Sequence, residues 1–240
     1  MYKIKDANDL ARYFEYSNLN YDINKEEMIE FLEDAKTYEF HSVVVGPSFI
    51  KLAKEILKNT NIKVTTVIGF PLGFETTEMK VANAKIAIDD GADELDMVMN
   101  LIDLKSNDYE SIIQEVKSVK EVLKDKPLKV IIESKILDDY QVINVSKAIE
   151  KAGADYIKTS SGFNGVNSFY EMIHDINIIK KNAPKIKIKA SGGIDKYKDA
   201  YRILSAGVDK IGSSSAYEII ATFEKLISNE EEVKQKFLDV

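Results

Sequence analysis

Cysteine is absent from this 240-residue chain, and histidine and arginine are scarce. Without cysteine the protein has no disulfides, no thiolate-bound zinc or iron–sulfur cluster, and no cysteine nucleophile. The two histidines, His41 and His174, lie far apart, so a histidine-rich metal site is not expected and acid–base chemistry falls to Asp, Glu, Lys or Tyr. Arg12 and Arg202 are the only arginines, so the chain has few residues that could bind a phosphate through a bidentate arginine contact.

Charge and hydropathy exclude further classes. The chain has 33 Lys and Arg against 40 Asp and Glu, and this net charge of −7 argues against non-specific nucleic-acid binding. No apolar run reaches the length of about 18 residues that a membrane helix needs. Residues 1–10 lack the apolar core of a secretory signal. We therefore expect a cytoplasmic protein that binds neither nucleic acid nor membranes.

Short apolar runs typical of strands alternate with longer amphipathic stretches typical of helices. The strand-like runs are residues 12–17, 42–45, 63–68, 94–99, 129–132, 156–159, 186–190 and 210–212. The clearest helix-like stretches are residues 79–90, 111–124, 142–152 and 217–227. Strand starts are about 21 to 35 residues apart, which fits one strand–helix unit each. This pattern predicts an α/β fold, a single (β/α)8 TIM barrel over residues 1–240, with an open doubly wound sheet as the alternative.

Two lysines stand where such a barrel carries its chemistry, at the C-terminal ends of strands. Lys158 interrupts an apolar run before a polar loop, and Lys189 lies on the predicted inward face of the seventh strand. Adjacent strands are about 4.8 Å apart, so the two ammonium groups would lower the pKa of one of them. A neutral lysine can form a Schiff base with a carbonyl. The alternatives are a solvated edge strand for Lys189 and a side chain that reaches the barrel mouth for Lys158.

A carboxylate and two small-residue loops extend this pattern. If the fourth strand turns Asp96 inward, Asp96 faces both lysines as a proton relay or as a structural salt bridge, with Glu94 one layer deeper. The opposite register would send Asp96 to the helices. Residues 191–195 and 212–215 run into helices, and backbone N–H groups in these barrel loops commonly bind phosphate. A phosphorylated substrate is therefore expected, attracted locally because the net charge is negative.

With these features, the chain resembles the deoxyribose-phosphate aldolases, a family of class I (β/α)8 aldolases. The matching stretches are residues 67–73, 91–98, 129–133, 152–162 and 189–194. The resemblance implies reversible cleavage of 2-deoxy-D-ribose 5-phosphate to acetaldehyde and D-glyceraldehyde 3-phosphate. It implies no metal or cofactor other than a covalent lysine imine. The partner is a small phosphorylated sugar, and a homo-oligomer is an open expectation.

The resemblance also implies residue roles. Lys158 would form the Schiff base, Lys189 would lower its pKa and join a proton relay, and Asp96 would shuttle protons with a water molecule. The expected substrate- and phosphate-binding positions are Ser161, Gly162, Gly192, Gly193, Ser213 and Ser214.

The first strand departs from the family, because Glu15, Tyr16 and Ser17 stand where its members usually have an Asp-His/Leu-Thr element. The longer Glu15 is expected to shift hydrogen bonding to the substrate. Three alternatives therefore stay open. They are a related Schiff-base aldolase for another phosphorylated aldol, a non-catalytic sugar-phosphate-binding paralogue, and a phosphate-binding barrel isomerase.

Overall fold

Eight parallel strands close into a barrel in sequence order, with β1 paired to both β2 and β8. The computed structural model describes residues 4–165 and 167–238, with side chains up to residue 229; residues 1–3, 166, 239 and 240 of the predicted domain lie outside the described residues. The strands are β1 Phe14–Asn18, β2 Ser42–Val45, β3 Lys63–Ile68, β4 Glu94–Val98, β5 Leu128–Ile131, β6 Tyr156–Lys158, β7 Lys187–Ser191 and β8 Lys210–Ser213. The predicted (β/α)8 barrel is confirmed, and the open sheet is wrong.

Helices follow the strands and cover the outside of the barrel. They are α1 Ala7–Ala11, α2 Lys25–Asp34, α3 Ile50–Ile56, α4 Thr77–Asp89, α5 Leu101–Lys105, α6 Tyr109–Leu123, α7 Asp139–Ala152, α8 Phe169–Asn182, α9 Tyr197–Ser205 and α10 Ala216–Leu238. Helix α7 shows how local sequence sets their bounds. It begins at a capping box of Asp138 with Gln141 and ends at Gly153, whose φ of 84° favours glycine. Among the described helices, none is long and apolar enough to cross a membrane.

Strand bounds differ from the prediction by at most two residues. The largest difference is at β1, predicted from residue 12 and observed from Phe14. Arg12 is the C-cap of α1, and its exposed guanidinium pairs with Asp9 and Glu39. Phe14 is the first residue of this segment that turns fully into the core, so the strand begins there.

The molecule has an apolar layer outside the barrel and a charged centre inside it. Helix α6 buries Ile112, Val116 and Val119 against its neighbours, at the helical spacing that the sequence shows. The interior of such a barrel is usually filled by branched apolar side chains. Here six charged side chains of the strands themselves are buried, at no more than 4 % exposure: Glu15, Glu94, Asp96, Lys129, Lys158 and Lys189. This departure from the usual packing marks the candidate site.

Candidate active site

Asp96 lies inside the barrel between the two lysines that the sequence singles out. Its Oδ2 atom is 2.8 Å from Lys158 Nζ and 2.6 Å from Lys189 Nζ. Lys158 and Lys189 are direct neighbours in the β6–β7 register. Strand β4 therefore turns Asp96 inward, and the opposite register is wrong. Because Lys189 is buried, the solvated-edge alternative is also wrong. Lys158 reaches the cavity at the barrel mouth, but it is buried and paired with Asp96.

The surroundings of Lys158 favour its neutral, nucleophilic form. Burial is the main cause that lowers the pKa of Lys158 to about 8. Asp96 opposes this shift, and the positive charge of Lys189 adds to it. The sequence predicts that the lysine pair causes the shift, whereas in the structure the burial of Lys158 contributes most. At neutral pH a larger share of the Lys158 side chains is therefore unprotonated than in an ordinary lysine.

Asp96 stays ionised although it is fully buried. Burial would raise its pKa, but the ammonium groups of Lys129, Lys158 and Lys189 hold the pKa of Asp96 well below its ordinary value. The carboxylate can therefore accept hydrogen bonds from two lysines at once, through Oδ2. A permanent acceptor beside Lys158 suits a group that orients a proton-carrying water or hydroxyl.

A third lysine and two glutamates form a layer beneath Asp96. The sequence analysis expects Glu94 in this deeper layer, but it gives Glu15 a different role and does not single out Lys129. Lys129 Nζ lies 3.1 Å from Asp96 Oδ1, 2.7 Å from Glu94 Oε2 and 3.4 Å from Glu15 Oε2. Burial would lower the pKa of Lys129, but these three carboxylates raise it, so Lys129 stays a cation. The sequence does contain an indication that Lys129 belongs to the site. Lys129 is a charged residue near the start of the apolar run that forms β5, and such a charge needs a buried partner.

Glu15 does not play the part expected of it from the first strand. The sequence predicts that it affects substrate hydrogen bonding, but Glu15 is not among the residues that line the large cavity at the barrel mouth. Its Oε2 atom is instead 2.5 Å from Lys189 Nζ, and the side chain is fully buried. Lys189 is thus held between Glu15 and Asp96, which fixes its position beside Lys158.

One group of described residues has the composition of a metal site. Ligand atoms of Glu15, His41 and Glu94 lie within 4.8 Å of one another. These carboxylates already have cationic partners, since Glu94 contacts Lys63 at 3.0 Å as well as Lys129. Within the cluster, Glu15 contacts Lys129 and Lys189, and His41 contacts Glu94 at 2.9 Å. Its charges are used to hold the lysine layer in place.

A cavity of about 500 Å³ opens above Lys158 and Lys189 at the C-terminal end of the barrel. Its walls include all six predicted substrate- and phosphate-binding residues, Ser161, Gly162, Gly192, Gly193, Ser213 and Ser214. Asp96 is not part of this lining and lies behind the two lysines. The structure thus brings the predicted residues to one cavity, while their roles stay predictions.

Several serine hydroxyls around this cavity already donate their protons inside the protein. Ser161 Oγ donates to Glu133 Oε2 at 2.5 Å, and Ser213 Oγ donates to the Ile194 carbonyl at 2.5 Å. These two hydroxyls therefore have no proton to offer a ligand in the cavity. The exposed carboxylate of Asp195 also lines the cavity. Among the described residues that line this cavity there is no arginine.

A buried ion pair anchors the loop after β3, residues 69–73, close to the barrel mouth. Lys80 Nζ lies 2.6 Å from Glu115 Oε1 and donates to the Gly73 carbonyl at 2.9 Å. Gly73 has a φ of 76°, and a Cβ there would lie 2.1 Å from the Met99 carbonyl oxygen, so only glycine fits. Within this loop, Phe70 makes an edge contact with Phe163 of the loop after β6, which ties two loops of the mouth together.

We expect Gly212→Ala to lower the catalytic activity that this site supports about tenfold without unfolding the protein. A Cβ at Gly212 would lie 2.8 Å from Lys189 Cε, so Lys189 must move away from its partners. Gly46→Ala is the matched control, because nothing lies within 4 Å of a Cβ at Gly46. Activity and thermal melting of both variants check this. Full activity of Gly212→Ala would show that the position of Lys189 is not critical.

Comparison with known proteins places this geometry in a family. The family model described as DeoC/LacD family aldolase matches residues 7–215. The chain is 40 % identical to a deoxyribose-phosphate aldolase of Metamycoplasma hominis over 202 residues, covering 84 % of this chain and 92 % of that one. It is 40 % identical to a deoxyribose-phosphate aldolase of Clostridium botulinum strain Kyoto over 212 residues, covering 88 % and 99 %.

A solved structure agrees with these sequence matches. A deoxyribose phosphate aldolase from Aeropyrum pernix, described as a tetramer, superposes with a TM-score of 0.83 at 29 % identity, over 92 % of this chain and 93 % of that one. The matched residues 7–215 include every strand of the barrel and every residue of the candidate site. The chain therefore belongs to the DeoC/LacD aldolase family.

Proposed function

We propose that the chain is a metal-independent class I aldolase that reversibly cleaves 2-deoxy-D-ribose 5-phosphate to acetaldehyde and D-glyceraldehyde 3-phosphate. The observation that carries the chemistry is a buried Lys158 with a pKa of about 8, beside Asp96 and Lys189 under an open cavity. The substrate is taken from the names of the relatives in Metamycoplasma hominis and Clostridium botulinum.

In the proposed reaction, neutral Lys158 Nζ attacks the C1 carbonyl and loss of water gives a protonated imine. The C3 hydroxyl loses its proton and the C2–C3 bond breaks, so that its electron pair moves toward the imine nitrogen and leaves an enamine. Glyceraldehyde 3-phosphate departs. Protonation of the enamine at C2 and hydrolysis of the imine release acetaldehyde and return the neutral amine.

Asp96 and Lys189 are placed to support the proton transfers of this sequence. Both lie within hydrogen-bond distance of each other, and Asp96 also contacts Lys158 Nζ. We assign Lys189 as a proton donor and acceptor near the reacting atoms and Asp96 as the group that orients it and a water molecule. The positive charge of Lys189 also favours the neutral form of Lys158.

The phosphate would lie against the loops after β7 and β8. Gly192 and Gly193 both have positive φ, 95° and 69°, which lets two successive residues turn their backbone toward the cavity. Helix α10 begins at Ala216, directly after the second loop, so the helix N-terminus adds N–H donors. This arrangement supports phosphate binding without a cationic clamp.

The direct test is cleavage of 2-deoxyribose 5-phosphate, followed by enzymatic detection of glyceraldehyde 3-phosphate, with and without a chelator. We expect product in both cases at the same rate. Dependence on added metal would contradict the metal-independent mechanism and would direct attention to Glu15, His41 and Glu94.

Formation of the imine is expected to speed up with pH. The neutral amine is the nucleophile, and its fraction rises as the pH passes the Lys158 pKa of about 8. Trapping of the acetaldehyde imine with cyanoborohydride at low aldehyde concentration, measured from about pH 6 to 9.5, checks this. A rate that is flat over this range would show that Lys158 is already neutral at pH 6, which contradicts a Lys158 pKa of about 8.

A second candidate is a Schiff-base aldolase for another phosphorylated aldol. It is favoured by the first strand, where Tyr16 and Ser17 line the cavity in place of the family element, and by the carboxylate of Asp195 on the cavity wall. A panel of sugar phosphates decides between them by kcat/KM. A non-catalytic binder would instead show ligand-dependent thermal stabilisation without release of aldehyde.

Assembly, location and pathway belong to the same proposal. The Aeropyrum pernix relative is described as tetrameric, which supports a homo-oligomer here, and mass photometry at working concentration tests it. We further propose that the protein is a cytoplasmic enzyme of deoxyribonucleotide catabolism, because the proposed reaction breaks down the deoxyribose phosphate part of these compounds. Growth on deoxyribonucleosides after deletion of the gene tests it.

A further inference from the structure

Glu133 is a buried acidic residue at the end of β5 that the proposed reaction does not use. It is fully buried, and its φ of 54° turns the side chain toward the loop after β6. Its carboxylate accepts hydrogen bonds from Ser161 N at 2.7 Å, Ser161 Oγ at 2.5 Å and Asn164 Nδ2 at 2.7 Å. No ion pair formed by the described residues involves Glu133, so the carboxylate is held by this loop alone.

These contacts fix the direction of the Ser161 hydroxyl. On one side the carboxylate of Glu133 can only accept a hydrogen bond, so the hydroxyl proton of Ser161 points to it. On the other side the backbone N–H of Phe163 can only donate, and it donates to Ser161 Oγ at 3.0 Å. The hydroxyl has one lone pair left and no proton to give. Ser161 is therefore an acceptor toward any further partner.

Ser161 lines the same cavity as Lys158, three residues further along the chain. Resting on the proposed function, we propose that Ser161, oriented by Glu133, accepts a hydrogen bond from the C4 hydroxyl of the bound aldol and is not a phosphate ligand. A phosphate at neutral pH presents mainly oxygens that accept, so an acceptor-only hydroxyl does not suit it. The sequence places Ser161 among the substrate- and phosphate-binding positions, and this proposal assigns it to a hydroxyl of the substrate.

The choice of the C4 hydroxyl follows from the chemistry of the cleavage. The C3 oxygen loses its proton and becomes a carbonyl oxygen, so a fixed acceptor beside it would repel the product. The C4 hydroxyl keeps its proton in both the aldol and the released aldehyde, where it is the hydroxyl next to the carbonyl. An acceptor of fixed polarity matches that group throughout the reaction, and it discriminates against substrates that lack it.

The test runs the reaction in the direction of synthesis, from acetaldehyde and one of two acceptor aldehydes. One acceptor is glyceraldehyde 3-phosphate, and the other is 3-oxopropyl phosphate, which has the same length and phosphate without the hydroxyl. We expect Ser161→Ala to lower kcat/KM about fivefold to tenfold more for the first acceptor than for the second. Ser161→Thr, which keeps the hydroxyl, should retain the preference for the hydroxylated acceptor.

Glu133→Gln tests the orienting role with an isosteric change. The amide would donate to Ser161 Oγ, and Ser161 would then turn its proton into the cavity. We expect the same selective loss with glyceraldehyde 3-phosphate, and little further loss when Ser161→Ala is added, because both changes remove one interaction. Ser214→Ala, at the phosphate end of the cavity, is the contrast and should affect both acceptors equally.

The outcomes separate this proposal from the proposed function. An equal loss with both acceptors in Ser161→Ala means that Ser161 binds the phosphate or only supports the loop, and either result overturns the proposal. No loss with either acceptor overturns it too. If the unmodified enzyme forms no product from either acceptor, the proposed function itself fails.

Discussion

The Lys158→Ala variant is expected to lose at least about 10⁴-fold in kcat, because no other described amine combines burial, a lowered pKa and access to the cavity. Borohydride reduction in the presence of acetaldehyde should place an ethyl group on Lys158 of the unmodified enzyme, and peptide mass spectrometry locates it. The variant should carry no such group at catalytic aldehyde concentration. An adduct on another lysine, together with retained activity, would contradict the assignment.

A charge-preserving control separates nucleophilicity from folding. Lys158→Arg keeps a cation near Asp96, but a guanidinium does not deprotonate in this pH range and cannot form the imine. We expect it to be as inactive as Lys158→Ala while melting closer to the unmodified enzyme. Asp96 keeps Lys129 and Lys189 as partners in both variants, so neither change leaves it unpaired.

The alternation of apolar and amphipathic stretches was sufficient to predict the barrel, because each strand–helix unit repeats at a similar spacing. It also pointed to three charged residues that the structure brings together, since a charged side chain inside an apolar strand is costly unless it is paired. Lys158 and Asp96 stand out in this way on β6 and β4. Their common location then follows from the barrel, in which all strand C-termini point to one end.

Other parts of the site depend on information that a single sequence does not contain. Whether Lys129 and Glu15 face the centre depends on strand register, and a shift of one residue would turn both outward. The left-handed backbone of Glu133 is unusual for a non-glycine residue, and no local pattern predicts it. The pKa of Lys158 likewise depends mainly on burial, which is a property of the packed barrel.

Lys189→Met is expected to lower kcat/KM about 10²- to 10³-fold and to move the pH dependence of imine formation to higher pH. The like charge of Lys189 is one cause of the low Lys158 pKa, and Asp96 opposes it. Removal of Lys189 removes the like charge that lowers the Lys158 pKa. Asp96 Oδ2 then has Lys158 as its remaining lysine contact, so the Lys158 pKa rises above about 8. Burial remains, so we expect a shift of about one pH unit rather than a return to an ordinary lysine.

The control for this variant is Lys187→Met, two residues earlier on the same strand. Lys187 is exposed and lies over the ring of Tyr156, away from Asp96, so its loss should leave the pH dependence unchanged. A Lys189→Met enzyme that is slow but keeps the original pH dependence would mean that Lys189 acts in proton transfer and not on the pKa of Lys158. Burial alone would then account for the nucleophile, and the paired-lysine explanation would be wrong.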